Sequence, residues 1–286
     1  MVLESLTSPE NAENKYYFML LLGFLFSAIA AVLSYSLQGP SPSLLFVFFT
    51  AIPAIPIMYA IIKYEEGKDI VYESEKKLLK EHVKALRAFI FLFIGMVLGM
   101  TLIFTVVPSE VKFVLFETQL DNFLSIQNSS PHTGMVTGGA WASFSHIFFN
   151  NVRVLVLSVI FSFLFGAGAI FILTWNASVI AAAIGSFIRN NLSVAAEFLG
   201  LSRLIFSLET VTTGLLMYSI HGIPEILAYF TAALAGGIIS VAVIKHDFNS
   251  ENFEKILLDS VDLLVFSLVL LFVAALLEVF VTPLIF

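Results

Sequence analysis

The sequence predicts an all-α fold, a polytopic helical membrane bundle of about seven transmembrane helices with kinked, short or re-entrant segments. Two observations carry this expectation. Of 286 residues, 59% are hydrophobic and only 12% are charged, whereas a soluble domain carries about 25% charged residues to face water. The apolar residues also come in runs of roughly 20, the length a helix needs to cross a hydrocarbon core.

The first run, 17–35, is too long for a signal-peptide core and reads as a retained span. The second, 44–62, contains Pro53 and Pro56, which lack an N–H and should kink it. The third covers 88–107 and the fourth 152–173. The stretch 176–220 alternates apolar pieces with Arg189, Glu197, Arg203 and Glu209, and reads as one crossing plus interfacial or re-entrant helix. A sixth span, 224–244, starts at Pro224, and a seventh covers 256–280.

Lysine and arginine set the orientation, because cytoplasmic loops retain them. Residues 63–87 hold seven of the fourteen basic residues. Placing that loop in the cytoplasm brings Lys15, Lys245 and Lys255 to the same side. The N-terminus is then cytoplasmic, the segment 108–150 external and the C-terminus external. The helix-forming stretch 69–87 reads as a solvated extension of the third span or a docking surface for a cytoplasmic partner. In the external segment, Phe113, Phe116, Leu120, Phe123 and Leu124, then Trp141, Phe144 and Phe148, fall at helical spacing and suit helices lying at the membrane interface. Asn128-Ser129-Ser130 there matches the short glycosylation acceptor pattern.

Small residues mark close helix packing. Gly95 and Gly99 form a GxxxG pair, Ser158, Ser162 and Gly166 recur on the fourth span, and Ala228, Ala232, Gly236 and Ser240 on the sixth. They either seal the bundle or make a homo-oligomer.

Polar groups inside apolar spans are costly and usually face protein or water. The candidate polar cluster is Asn150, Asn151, Arg153, Asn176, His221, Glu225 and Glu278. Arg153, His221, Glu225 and Glu278 fall toward one side, so pairing of Arg153 with Glu225, Glu278 or both is expected. Asp259 and Asp262 sit at the start of the seventh span. No HExxH, GxSxG or GxxxxGK[ST] motif occurs. Cysteine is absent, which removes thiol nucleophiles and thiolate metal sites. His221 and Glu225 at i,i+4 are too few for a metal site. No catalytic residue, metal site or cofactor is therefore assigned, and no basic surface points to nucleic acid.

Phe149-Asn150-Asn151-Val152-Arg153, Phe165-Gly166-Ala167-Gly168, Asn176, His221-Gly222-Ile223-Pro224-Glu225 and Leu277-Glu278-Val279-Phe280-Val281-Thr282-Pro283 occur in a recognisable order. Over roughly 88–286 the chain resembles the stage II sporulation protein M family. The resemblance implies a five-span core with an external loop at about 108–150. Residues 1–87 are then an added transmembrane hairpin with a cytoplasmic charged loop. It further implies a non-enzymatic integral membrane scaffold that organises or recruits partner proteins, by resemblance cell-envelope remodelling proteins, at the cell membrane. The alternative is a transporter or channel using the buried polar cluster. Membrane lipids and unidentified protein partners, including a second copy, are the expected contacts.

Overall fold

The computed structural model describes residues 7–37, 39–71, 75–129, 137–165, 168–195, 200–245 and 251–285. Every regular element among them is helical, and seven helical stretches are long and apolar enough to cross a membrane. In chain order the helices are α1 (Pro9–Asn14), α2 (Tyr16–Leu37), α3 (Pro42–Ala51), α4 (Ala54–Val71), α5 (Glu75–Val106) and α6 (Ser109–Ser129). There follow α7 (Thr137–Phe165), α8 (Ala169–Ala195), α9 (Gly200–Lys245), α10 (Glu251–Leu276), a π-helical turn at Leu277–Val281, and α11 (Thr282–Ile285).

A short polar residue, Ser8, starts α1. Ser8 Oγ accepts the Asn11 N–H at 3.2 Å and Pro9 occupies the first turn of α1, where its missing N–H costs nothing. Two helices, α2 and α5, then pack as a parallel pair. Gly23 lies against Leu92 and Met96, Gly95 against Leu20, and Gly99 against Phe24 and Ser27. A Cβ on Gly23 or Gly95 would collide with the facing backbone. Ser27 Oγ donates to the carbonyls of Gly23 (3.0 Å) and Met96 (3.3 Å). Gly95 and Gly99 therefore seal the bundle from within.

The proline-rich second crossing breaks as its composition requires. Helix α3 ends at Ala51 and α4 begins at Ala54, with Pro53 between them. After α5, Pro108 separates α6, which bends at Phe116 (φ −127°, ψ 16°). The Phe116 ring is buried edge-on between Phe46 (5.3 Å) and Phe104 (5.0 Å). Phe113 is exposed, and the side chains of Phe123, Leu124 and Asn128 lie outside the described residues.

Two boundaries differ from the sequence reading. The fourth crossing is not 152–173: α7 runs unbroken from Thr137, and the chain turns before Ala169. Helix α7 ends at Phe165 and α8 begins at Ala169; residues 166–167 lie outside the described residues. Trp141, Phe144 and Phe148 are consequently part of a crossing helix. Phe144 and Phe148 pack edge-on against Phe272 of α10, at 5.3 and 5.8 Å. The following helix gains the residues lost to α7, so 169–192 forms a full crossing.

The second difference is α9. It is one helix of 46 residues with Pro224 inside it, where a new helix was expected to begin. The missing N–H removes one bond to the preceding turn, a loss that membrane helices tolerate when neighbours re-satisfy the backbone. Small residues seat α9 on its neighbours. Gly236 lies against the Val159 backbone, Gly237 against Ile62, and Ser162 Oγ donates to the Ala233 carbonyl at 2.6 Å. The small-residue rows of the fourth and sixth spans meet each other.

Candidate functional site

Three of the predicted polar residues converge. His221 and Glu225 lie one turn apart on α9, with Tyr229 one turn further. The Tyr229 hydroxyl donates to Glu225 Oε1 at 2.8 Å. Glu278 sits on the π-helical turn, within electrostatic reach of Glu225 and Tyr229. Thr282 Oγ1 donates to the Leu277 carbonyl at 3.1 Å and stands 3.4 Å from His221 Nδ1. Pro283 has no N–H to continue the α-helical ladder, which accounts for irregular helix here. Single-turn π segments often occur at functional positions.

The depth of this group follows from α5. Phe230 stacks on Phe89 (5.7 Å) and meets Phe93 edge-on (5.9 Å). Ile226 borders the same cavity as Ile90, Phe93 and Ile94. Those residues belong to the central part of the crossing Lys80–Val106. Glu225 therefore lies deep within the helical layer. Among the described residues, no lysine or arginine forms an ion pair with Glu225 or Glu278.

Arg153 does not neutralise them, contrary to the sequence expectation. It is exposed and forms no ion pair with a described residue. Its neighbour Asn151 is the residue turned inward, 7% exposed. Two positions along an α-helix turn the side chain by about 200°, so the two cannot share a face. Asn150 is also exposed. Asn176, on α8, has a buried Nδ2 without a hydrogen-bond partner, and no hydrogen bond ties it to the His221–Glu225–Glu278 group.

A second polar group escaped the sequence reading. Lys68, placed there in a solvated loop, is 8% exposed and sits among carboxylates from three helices. Its Nζ lies 2.7 Å from Glu13 Oε2 on α1, 2.5 Å from Glu65 Oε1 on α4 and 3.3 Å from Glu81 Oε2 on α5. The other Glu65 oxygen is 2.7 Å from Nδ1 of buried His82. Burial and the neighbouring Glu65 carboxyl push Glu13 up to about 8. Both carboxyls face the single Lys68 ammonium. The group clamps α1 to α4 and α5. A charge-dense segment reads as water-facing, so only the i,i+3 pair Glu65/Lys68 was available as a signal.

At the opposite end, Arg189 caps α5. Its guanidinium donates to the carbonyls of Phe104 (3.3 Å) and Val107 (3.0 Å) and to Ser109 Oγ (3.0 Å). A cation there suits the negative end of the helix dipole.

The family model of stage II sporulation protein M matches residues 88–283, more than half of the chain. The chain belongs to the stage II sporulation protein M family. No curated protein and no solved structure matches it. The segment shared with the stage II sporulation protein M family takes in His221, Glu225 and Glu278 and the exposed face of α7. Glu13, Glu65, Lys68, Glu81 and His82 all precede it, so the charged clamp belongs to the chain outside the matched segment.

Proposed function

We propose that this member of the stage II sporulation protein M family is a non-enzymatic membrane scaffold that recruits partner proteins through α7. The observation that carries the proposal is the polar stripe on that helix. His146, Phe149, Asn150, Arg153 and Val156 share one exposed face, and α7 and α10 are the least buried of the crossings. Arg153 lies 14 residues from one end of the crossing Gly139–Leu164 and 11 from the other, about 21 and 16 Å of helix. A charge at such depth costs about 2.5–3.5 kcal/mol on insertion scales. A protein partner with a facing acceptor would remove that cost. Purification from native membranes in mild detergent tests this. The scaffold reading expects a discrete, stoichiometric protein partner that Arg153→Leu releases. Recovery of the chain with lipid alone, from both forms, would defeat it.

A transporter or channel remains the second reading, favoured by Glu225 and Glu278 lacking a basic partner among the described residues. Proton or cation flux in reconstituted vesicles, lost in Glu225→Gln, would support it; no flux above empty vesicles would remove it. In either case the lysine-rich end of α4 and α5 faces the cytoplasm. The chain has no native cysteine, so single cysteines at Lys80 and Glu110 report sidedness cleanly. Labelling of position 80 but not 110 from outside intact cells would reverse this orientation.

A further inference from the structure

Beyond the polar group and the α7 face, two cavities meet at Tyr218. One, of about 500 Å³, lies between α6, α8 and α9 at the end of the bundle that bears α6. Lys112, Glu117, Asp121, Ser186 and Asn190 supply its polar lining. The other, of about 120 Å³, descends between α5, α8 and α9 and is lined almost wholly by apolar side chains, among them Ile94, Val97, Ile184 and Ile226. Tyr218 borders both. A chamber carrying charged side chains at the end of the helices thus shares Tyr218 with an apolar groove running along them.

Among the described residues the charges in the chamber have no ion-pair partner. Lys112, Glu117 and Asp121 form no ion pair with a described residue. Lys112 Nζ is 4.5 Å from the Phe113 ring centroid and 5.3 Å from that of Phe104, so aromatic faces flank it. Arg189 is near enough for its charge to act on Lys112, which adds positive potential on that side. Glu117 and Asp121, one turn apart on α6, provide the negative side.

We infer that the two cavities together bind one phospholipid with a phosphate and a primary ammonium in its headgroup, its acyl chain lying in the groove. The phosphate is placed toward Lys112 and the ammonium toward Glu117 and Asp121, which a purely anionic headgroup could not satisfy. The groove takes a chain because its walls are apolar and offer a hydrocarbon no unpaired polar group to cover. The source of the phosphate is the lipid, since free phosphate would leave the groove and both carboxylates unfilled.

Native mass spectrometry of the full chain with added phosphatidylethanolamine, phosphatidylglycerol or inorganic phosphate tests this. The ethanolamine lipid should be retained best, and excess phosphate should not displace it. Lys112→Gln should lower retention about tenfold, the loss expected of one charge-assisted hydrogen bond. Glu117→Gln with Asp121→Asn should abolish the preference over phosphatidylglycerol while leaving binding of that lipid intact. Gly222→Leu supplies a plug at the other end. Gly222 lines the groove and a Cβ there meets no atom within 4 Å, so the larger side chain enters open space. It should lower retention of both lipids without lowering the melting temperature. Equal retention of the two lipids by the unaltered chain, or unchanged retention in both Lys112→Gln and Gly222→Leu, would overturn the inference. So would displacement by phosphate.

Discussion

Lys68 draws three acidic side chains around one ammonium, and the protonation of Glu13 decides how tight that clamp is. Glu13 has its value raised from 4.5 to about 8 by burial and by Glu65. A carboxyl held protonated by the fold contributes its full stability below its unfolded value and loses it as pH rises through the folded one. The docking of α1 should therefore weaken between about pH 4.5 and 8. Glu13→Gln mimics the protonated form, so it should match the unaltered chain near pH 4.5, raise the melting temperature near neutrality and flatten that pH dependence. Glu65→Gln should cost far more, about 3–5 kcal/mol, because it removes the buried carboxylate that Lys68 and His82 share. Thermal melts of both variants across this range check it; equal losses would mean that Glu13 is an ordinary ion-pair partner. Residue facing is also where sequence reasoning was weakest. His221, Glu225 and Glu278 stood out because charges are rare in apolar runs. Arg153 stood out for the same reason, yet its direction depended on where α7 begins, and that start was misplaced by 15 residues.

At the scale of elements, apolar length made the crossings legible, and turn chemistry decided where the reading failed. The reading took Asn150 to Arg153 as the polar mouth of a span. The structure places that polarity in mid-helix, with only Asn151 turned inward, and ends α7 at Phe165 instead. Pro53 interrupts the second crossing where a kink was expected, whereas Pro224 does not begin a new helix and lies inside α9. The seam between α2 and α5 was legible as GxxxG, though its partner was not. Because a Cβ on Gly95 would meet the Leu20 backbone, no side-chain adjustment can relieve the contact. Gly95→Ala should force α2 and α5 apart and cost about 1–3 kcal/mol, the usual penalty of overpacking. Gly139→Ala, on α7 with open space around it, should leave stability unchanged or raise it slightly. Comparing their thermal stability in one detergent separates the close approach from a general effect of losing glycine.

The whole molecule presents two unlike sides. Small residues interlock α2 with α5, and α9 with α4 and one face of α7, while α7 and α10 expose much of their length. Apolar residues such as Leu258, Val265 and Phe266 on α10 suit lipid without further explanation. The stripe containing His146, Asn150 and Arg153 on α7 does not, and the scaffold reading rests on it. Site-specific photo-crosslinking in native membranes asks directly what covers that stripe. A photoreactive residue at Phe149, beside Asn150 on the exposed face, should yield a discrete protein adduct that weakens in the Arg153→Leu background. The same residue at Leu25, an exposed position on α2, should yield lipid adducts only. Lipid adducts alone at both positions would contradict the account.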